Sequence, residues 1–317
     1  MNYRILGNSG LKVSELSLGS HLTFGDKLGV NETTSILRKA YELGINYFDT
    51  ANVYQNGEAE RLIGIAMKEI KRDSIVIGTK AYYPTGNSPT EKGLSRKHLF
   101  ESVHASLKRM NLDYIDIFYC HSYDKETPVS ETVRAIDDLT KQGKIRYAGV
   151  SNWTAHQLQE VQSIANQSRV ARMIVNQCEY SMLNPTIENE ILPISKRLGI
   201  GAIVFSPLAQ GVLTGKYNKG VPQNSRANNP NINKFFGKLH TTENIEKARD
   251  LERIAREYEL TLAELAILWV LKEPVVASAL IGVTSEEQLL HNVQVLHKEL
   301  PQEAVVKVNQ VIYINKD

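Results

Sequence analysis

Apolar and polar positions along this chain switch repeatedly between two periods. Short β-branched and aromatic runs read as buried strands, and between them apolar residues recur every three or four positions, as on amphipathic helices. The chain opens differently. Residues 3–6 and 11–14 flank the turn cluster Gly7-Asn8-Ser9-Gly10, which predicts a β-hairpin. A strand near 15–18 ends in Gly19-Ser20-His21, and a helix over 32–43 leads to Ile45-Asn46-Tyr47-Phe48, a strand that stops at Asp49. A helix over 58–70 precedes the strand that ends in Gly78-Thr79-Lys80. A helix over 95–110, with Leu99, Val103 and Leu107 on one face, precedes the strand that ends in Cys120-His121.

The second half repeats the pattern. A helix over 128–142 leads to a strand over 145–150 that ends in Ser151-Asn152. The capping box Thr154-Ala155-His156-Gln157 opens the next helix. Strand 171–176 ends at Gln177, a helix spans 187–198, and strand 201–205 ends in Ser206-Pro207. Residues 208–240 are polar and rich in Asn and Gly, a connection long enough to suggest function or disorder. Helices over 243–258 and 261–272 follow, the second opened by Thr261-Leu262-Ala263-Glu264. The last strand, 275–281, runs into Gly282-Val283-Thr284 and a helix over 285–296.

Eight strands, each followed by a helix with no break in composition, predict one α/β domain over residues 1–317. The expected fold is a (β/α)8 TIM barrel with an N-terminal β-hairpin and extra helices after strand seven and near the C-terminus. A doubly wound sheet requires a Gly-rich fingerprint after its first strand, and Leu18-Gly19-Ser20-His21 provides none. Gly211-Val212-Leu213-Thr214-Gly215-Lys216-Tyr217 resembles a phosphate loop but is one residue short and ends in Tyr where Ser or Thr must bind magnesium.

Composition narrows the partners. The net charge is +2, with both signs mixed along the chain, which argues against nucleic acid or an anionic membrane surface. No signal-peptide h-region and no bilayer-length apolar run occur, so a cytoplasmic protein without membrane insertion is expected. Cys120 and Cys178 form neither a CxxC pair nor zinc spacing, and no histidine pair sits at metal-ligand spacing. No metal is expected.

On a parallel barrel all strand C-termini meet on one face. There strand two brings Asp49, with Tyr54 just beyond it, strand three Lys80 and strand four His121. Tyrosine has a free pKa of about 10 and is a poor acid at neutral pH; a neighbouring ammonium stabilises tyrosinate and lowers that value. Asp49 can hold Lys80 charged, and His121 can hydrogen-bond a carbonyl oxygen. The set suits protonation of an oxygen as hydride reaches its carbon. A hydrolase using Asp49 and Glu179 as paired carboxylates would leave Lys80, Tyr54 and Ser151-Asn152 unexplained.

Phe48-Asp49-Thr50-Ala51-Asn52-Val53-Tyr54, Gly78-Thr79-Lys80, His121 and Gly149-Val150-Ser151-Asn152-Trp153 resemble, in order and spacing, the motifs of the aldo-keto reductase superfamily. Ser206-Pro207-Leu208-Ala209-Gln210-Gly211, Gly215-Lys216-Tyr217, Ser225-Arg226 and Gly282 through Leu289 are similar to the branch that holds potassium-channel β subunits and bacterial glyceraldehyde-3-phosphate reductase-like enzymes. The resemblance implies NADPH (NADP+) as cofactor and a small aldehyde or ketone as substrate. Tyr54 would be the general acid, Asp49 and Lys80 its tuning pair, and His121 the carbonyl orienter.

The resemblance also distributes the cofactor. Ser151, Asn152 and Gln177 would hydrogen-bond the nicotinamide amide, with Ser20 close by, and Phe205 would stack on its ring. Ser206, Pro207, Leu208, Gln210 and Lys216 would line the pyrophosphate. Gly282, Thr284, Gln288 and Asn292 would hold the adenosine end, where the last helix N-terminus suits phosphate. Arg226 would read the 2′-phosphate, since Gly282 through Gln288 contains no Lys or Arg.

Three positions depart from the branch. His121 stands where channel subunits carry Asn, His21 where the branch usually has Trp on the pocket wall, and His291 where a glutamate usually reaches adenine. The substrate pocket is expected to comprise His21, Tyr54 and His121. A non-catalytic NADPH-sensing subunit of a channel or other partner is the alternative reading, and relatives that occur as monomers, tetramers and octamers leave a homo-oligomer open.

Overall fold

A computed structural model describes residues 1–218, 220–222 and 239–313. The chain begins with the hairpin β1 (Tyr3–Ile5) and β2 (Lys12–Ser14), paired antiparallel with Arg4 opposite Val13. Strands and helices then alternate: β3 (Leu16–Gly19), α1 (Val30–Glu42), β4 (Tyr47–Asp49), α2 (Glu58–Met67), β5 (Val76–Ala81), α3 (Arg96–Met110), β6 (Ile115–Cys120) and α4 (Val129–Lys141). The second half adds β7 (Ile145–Ser151), α5 (Ala155–Ser168), β8 (Met173–Glu179), α6 (Ile191–Leu198) and β9 (Gly201–Phe205). Two helices, α7 (Thr242–Glu257) and α8 (Leu262–Leu271), precede β10 (Val276–Ile281). The chain continues through α9 (Glu286–Gln294) and α10 (Gln302–Tyr313), the extra helix near the C-terminus.

Strands β3 to β10 close into a parallel barrel, sealed where β10 pairs with β3. Most helices carry one apolar stripe, with Ile36, Leu37 and Ala40 buried on α1 and Val133, Ile136 and Leu139 on α4, while α8 is buried nearly all round. Both capping boxes are formed, Thr154 with Gln157 at α5 and Thr261 with Glu264 at α8. The helix expected over 187–198 divides into a 3-10 turn, Thr186–Glu188, and α6. Pro193 accounts for the later start, because a residue without an N–H is tolerated only in a first helical turn.

The hairpin closes the N-terminal end of the barrel. Leu6 and Val13 are fully buried and pack with Tyr47, Val76, Ile117, Tyr119, Val175 and Ile203 in its interior. The Asn8 N–H donates to the Gly199 carbonyl at 2.7 Å. A side chain at Gly7 would meet the Ile174 carbonyl oxygen at 2.3 Å, so only glycine lets the hairpin tip seat this closely. The opposite, C-terminal end stays free for chemistry.

Candidate active site

Strand register sets the site. Asp49 lies level with Gly19 on one side and Gly78 on the other, Lys80 is level with Tyr119, and Ser151 is level with Gln177. Backbone bonds extend the ladder past the strand ends, so the following loop is placed as firmly as the strands: Thr50 N–H to Gly78 O at 2.9 Å, Asn52 N–H to Lys80 O at 3.1 Å, and His121 N–H to Ala81 O at 3.0 Å. The loop then turns tightly through left-handed Gln55, Asn56 and Gly57, with Tyr54 at the start of the turn.

Asp49 and Lys80 are buried and form an ion pair through Asp49 Oδ2, and the Lys80 ammonium also donates to the Thr50 carbonyl at 2.6 Å. Burial pulls the Lys80 pKa below the usual lysine value, while Asp49 and Glu60 oppose that pull. The Lys80 Nζ lies 5.2 Å from the centre of the Tyr54 ring. His121 presents an edge to Tyr54 with ring centres 5.7 Å apart. All four expected catalytic groups therefore meet at one mouth.

The electrostatics differ from the sequence expectation at Tyr54. Burial raises its pKa well above the ordinary phenol value, and Asp49 and Tyr83 push it further in the same direction. Lys80 does not overcome this, because its ammonium faces Asp49 and the Thr50 carbonyl. Resting Tyr54 is thus a fully protonated phenol. His121 is pushed the other way, to about 2, by burial first and then by Lys80 and His21. It is a neutral imidazole at physiological pH, and its buried Nδ1 has no hydrogen-bond partner.

His21 is exposed and leans over Tyr54, the rings tilted by 39° with centres 4.7 Å apart. Tyr83, which the sequence reading passed over, stands edge-on to His121 at 4.9 Å and is 45 % exposed. Tyr47 and Tyr119 were passed over too. Both are fully buried beneath Asp49, and the Tyr47 hydroxyl donates to Asp49 Oδ1 at 2.8 Å. The signal available for them was two glycines, Gly78 and Gly149, on the neighbouring strands, where a Cβ would strike the two tyrosines.

The residues expected around a cofactor lie on the adjoining strand ends. The Gln177 amide donates to Asp49 Oδ1 at 2.8 Å, which leaves its oxygen for a ligand amide. Asn152, held in the left-handed region at φ 56°, donates its N–H to the Gln177 carbonyl at 2.9 Å and lies 3.4 Å from Ser151 Oγ. Phe205 ends β9 half-buried, and Ser206, Pro207 and Leu208 lead into a 3-10 turn, Ala209–Thr214, with Gln210 and Gly211 left-handed.

Lys216 folds back on that turn. Its Nζ would be 2.8 Å from a Cβ at Gly211, so the glycine makes room for the cation. The buried Ser20 Oγ lacks a partner. An orphaned hydroxyl beside Asp49, an available amide oxygen and a lysine drawn over a glycine turn fit a dinucleotide laid across the barrel mouth.

At the far end Gln288 Oε1 accepts from the Thr284 N–H at 3.0 Å and from its hydroxyl at 3.3 Å, and Ser285 caps the Gln288 N–H at 3.2 Å. In the first turn of α9 the Gln288 N–H is thus taken by the Ser285 cap. Gly282 follows β10, and Asn292 is buried on α9. Arg226 lies outside the described residues.

An eight-stranded parallel barrel with Asp, Tyr, Lys and His converging at its C-terminal mouth defines an oxidoreductase class. Residues 15–312 match the Aldo/keto reductase family, and the chain belongs to it; the family binds NAD(P)H. Among its relatives are two proteins named "Probable voltage-gated potassium channel subunit beta". The one from Oryza sativa subsp. japonica is 41 % identical over 98 % of this chain and 97 % of its own length. The one from Arabidopsis thaliana is 44 % identical over 93 % and 90 %. A protein from Schizosaccharomyces pombe, also named for a voltage-gated potassium channel subunit beta, is 38 % identical over 98 % and 93 %.

Proposed function

We propose that this protein is an NADPH-dependent reductase of small aldehydes and ketones, with Tyr54 as the general acid. The convergence of a protonated Tyr54, the Asp49–Lys80 pair and a neutral His121 at the barrel mouth carries the reading. Bound NADPH supplies the hydride. His121 donates an N–H to the carbonyl oxygen and orients it, while Tyr54 gives that oxygen its proton. The tyrosinate left behind forms beside the Lys80 ammonium, which offsets part of the cost of ionising a partly buried phenol. Ser20, Ser151, Asn152 and Gln177 would hold the nicotinamide end, Phe205 its ring, and Lys216 the pyrophosphate.

Arg226 would supply the counter-charge for the 2′-phosphate. Arg226→Ala should weaken NADPH by roughly tenfold or more while NADH is little affected, and fluorescence titration of both cofactors checks it. His21 makes the pocket wall polar, which favours short polar or anionic aldehydes over bulky aromatic ones. A cytoplasmic location belongs to the same reading; among the described residues no helix is long and apolar enough to cross a membrane.

The relatives' names favour a second reading, in which the protein is a subunit of a channel; as such it would sense NADPH without catalysis. NADPH oxidation against a panel of aldehydes separates the two. Alcohol produced in step with NADPH consumed supports the reductase, whereas NADPH binding without turnover of any carbonyl supports the subunit.

A further inference from the structure

Beneath Asp49 the barrel interior holds two tyrosines that the reaction as described does not use. Tyr47 lies two residues before Asp49 on β4, so both side chains point to the same face of the strand. Tyr119 lies on β6, level with Lys80 on one side and Gly149 on the other. The Tyr47 hydroxyl donates to Asp49 Oδ1 at 2.8 Å and sits 2.9 Å from the Tyr119 hydroxyl. Tyr47 has one hydroxyl proton and a carboxylate only accepts, so Tyr119 must donate to Tyr47. Burial raises the pKa of both phenols well above the ordinary value, with Asp49 adding to it, so both protons stay in place.

The barrel makes room for these hydroxyls. A Cβ at Gly78 would lie 2.5 Å from the Tyr47 oxygen, and one at Gly149 would lie 2.7 Å from the Tyr119 ring. The rest of this buried cluster is Leu, Val, Ile and Ala. Phenylalanine would fill nearly the same volume without bringing two polar groups into an apolar core. The hydroxyls divide the carboxylate: Oδ1 takes Tyr47 and Gln177, and Oδ2 is left to Lys80.

We propose that Tyr47, backed by Tyr119, is a positioning residue whose hydroxyl chain locks the Asp49 carboxylate so that the Lys80 ammonium stays charged beside Tyr54. The link to catalysis rests on the reductase reading above; the hold on Lys80 does not. The charged and titratable groups around Lys80 are Asp49, Tyr54, Tyr119, Glu60 and His121. Burial drives Lys80 toward the neutral amine, and Asp49 is the largest influence against it. Removing the Tyr47 hydroxyl leaves Gln177 alone on Oδ1, so the carboxylate is held less firmly and Lys80 loses part of its counter-charge.

The test uses the full chain carrying 13Cε-labelled lysine, with the Lys80 resonance assigned by its loss in Lys80→Met. In Tyr47→Phe the Lys80 titration midpoint should fall by about one pH unit, and in Tyr119→Phe by less in the same direction. Where the parent turns over carbonyl, the alkaline limb of kcat should fall in step and NADPH affinity should stay unchanged. Should Tyr47→Phe not fold, Tyr119→Phe decides by the same midpoint. A Lys80 midpoint equal to the parent's in every folded variant overturns the proposal, whether or not the protein is an active reductase. A shifted midpoint in a protein that reduces no carbonyl sustains the hold on Lys80 and rejects only the reductase reading.

Discussion

At the residue scale the site combines opposite displacements of two groups that share one mouth. Burial keeps the proton on Tyr54 and strips it from His121, so the acid is loaded and the orienting imidazole is neutral at the same pH. The His121 displacement has a consequence for stability. Its folded pKa, about 2, lies below the free histidine value of about 6.5. At neutral pH both folded and unfolded forms carry it uncharged, and it contributes no pH dependence. Below about pH 6.5 the unfolded chain takes up a proton that the folded one refuses, so stability falls as pH falls. Because His121 is half-buried, about 1 kcal/mol per pH unit is expected. Urea midpoints at pH 7 and pH 5 should therefore lie further apart for the parent than for His121→Asn; equal spacing would mean that His121 titrates normally.

At the scale of elements, the alternation of strands and helices was legible because most helices show one apolar stripe and each barrel strand a short apolar run. The strand ends were legible because Asp49, Lys80 and Ser151 interrupt such runs with polar groups. Tyr47 and Tyr119 were not, since inside a strand a tyrosine counts as one more apolar residue and its hydroxyl partner depends on register. The resting protonation of Tyr54 was not legible for a related reason. Spacing placed Lys80 and Asp49 together but could not show how far burial, Asp49 and Tyr83 outweigh the ammonium at Tyr54. The loop after β9 turns at Gly211 and again at Gly215. Gly211 sits at φ 99°, and the Lys216 Nζ occupies the space of its missing side chain. Gly211→Ala should displace that cation and weaken NADPH roughly tenfold while the thermal midpoint shifts by only a few degrees, about 1 kcal/mol of local strain. NADPH titration alongside calorimetry checks this, and unchanged affinity would remove Lys216 from the cofactor site.

At the scale of the whole molecule, the hairpin seals one end of the barrel and thereby assigns chemistry to the other. The last helix is tied to the segment that follows β8: Glu188 accepts from Tyr180, from Tyr313 at the end of α10, and from Lys272 at 2.9 Å. The catalytic groups, by contrast, depend on the closed sheet, because Asp49, Lys80 and His121 come from three adjacent strands held in register. Proton delivery in the proposed reaction depends on Tyr54. With a short aldehyde and saturating NADPH, Tyr54→Phe should lower kcat by about 10²–10⁴-fold while the NADPH dissociation constant stays within about twofold, because the change removes one proton donor and little binding surface. Near-parent turnover by the phenylalanine variant would contradict the mechanism.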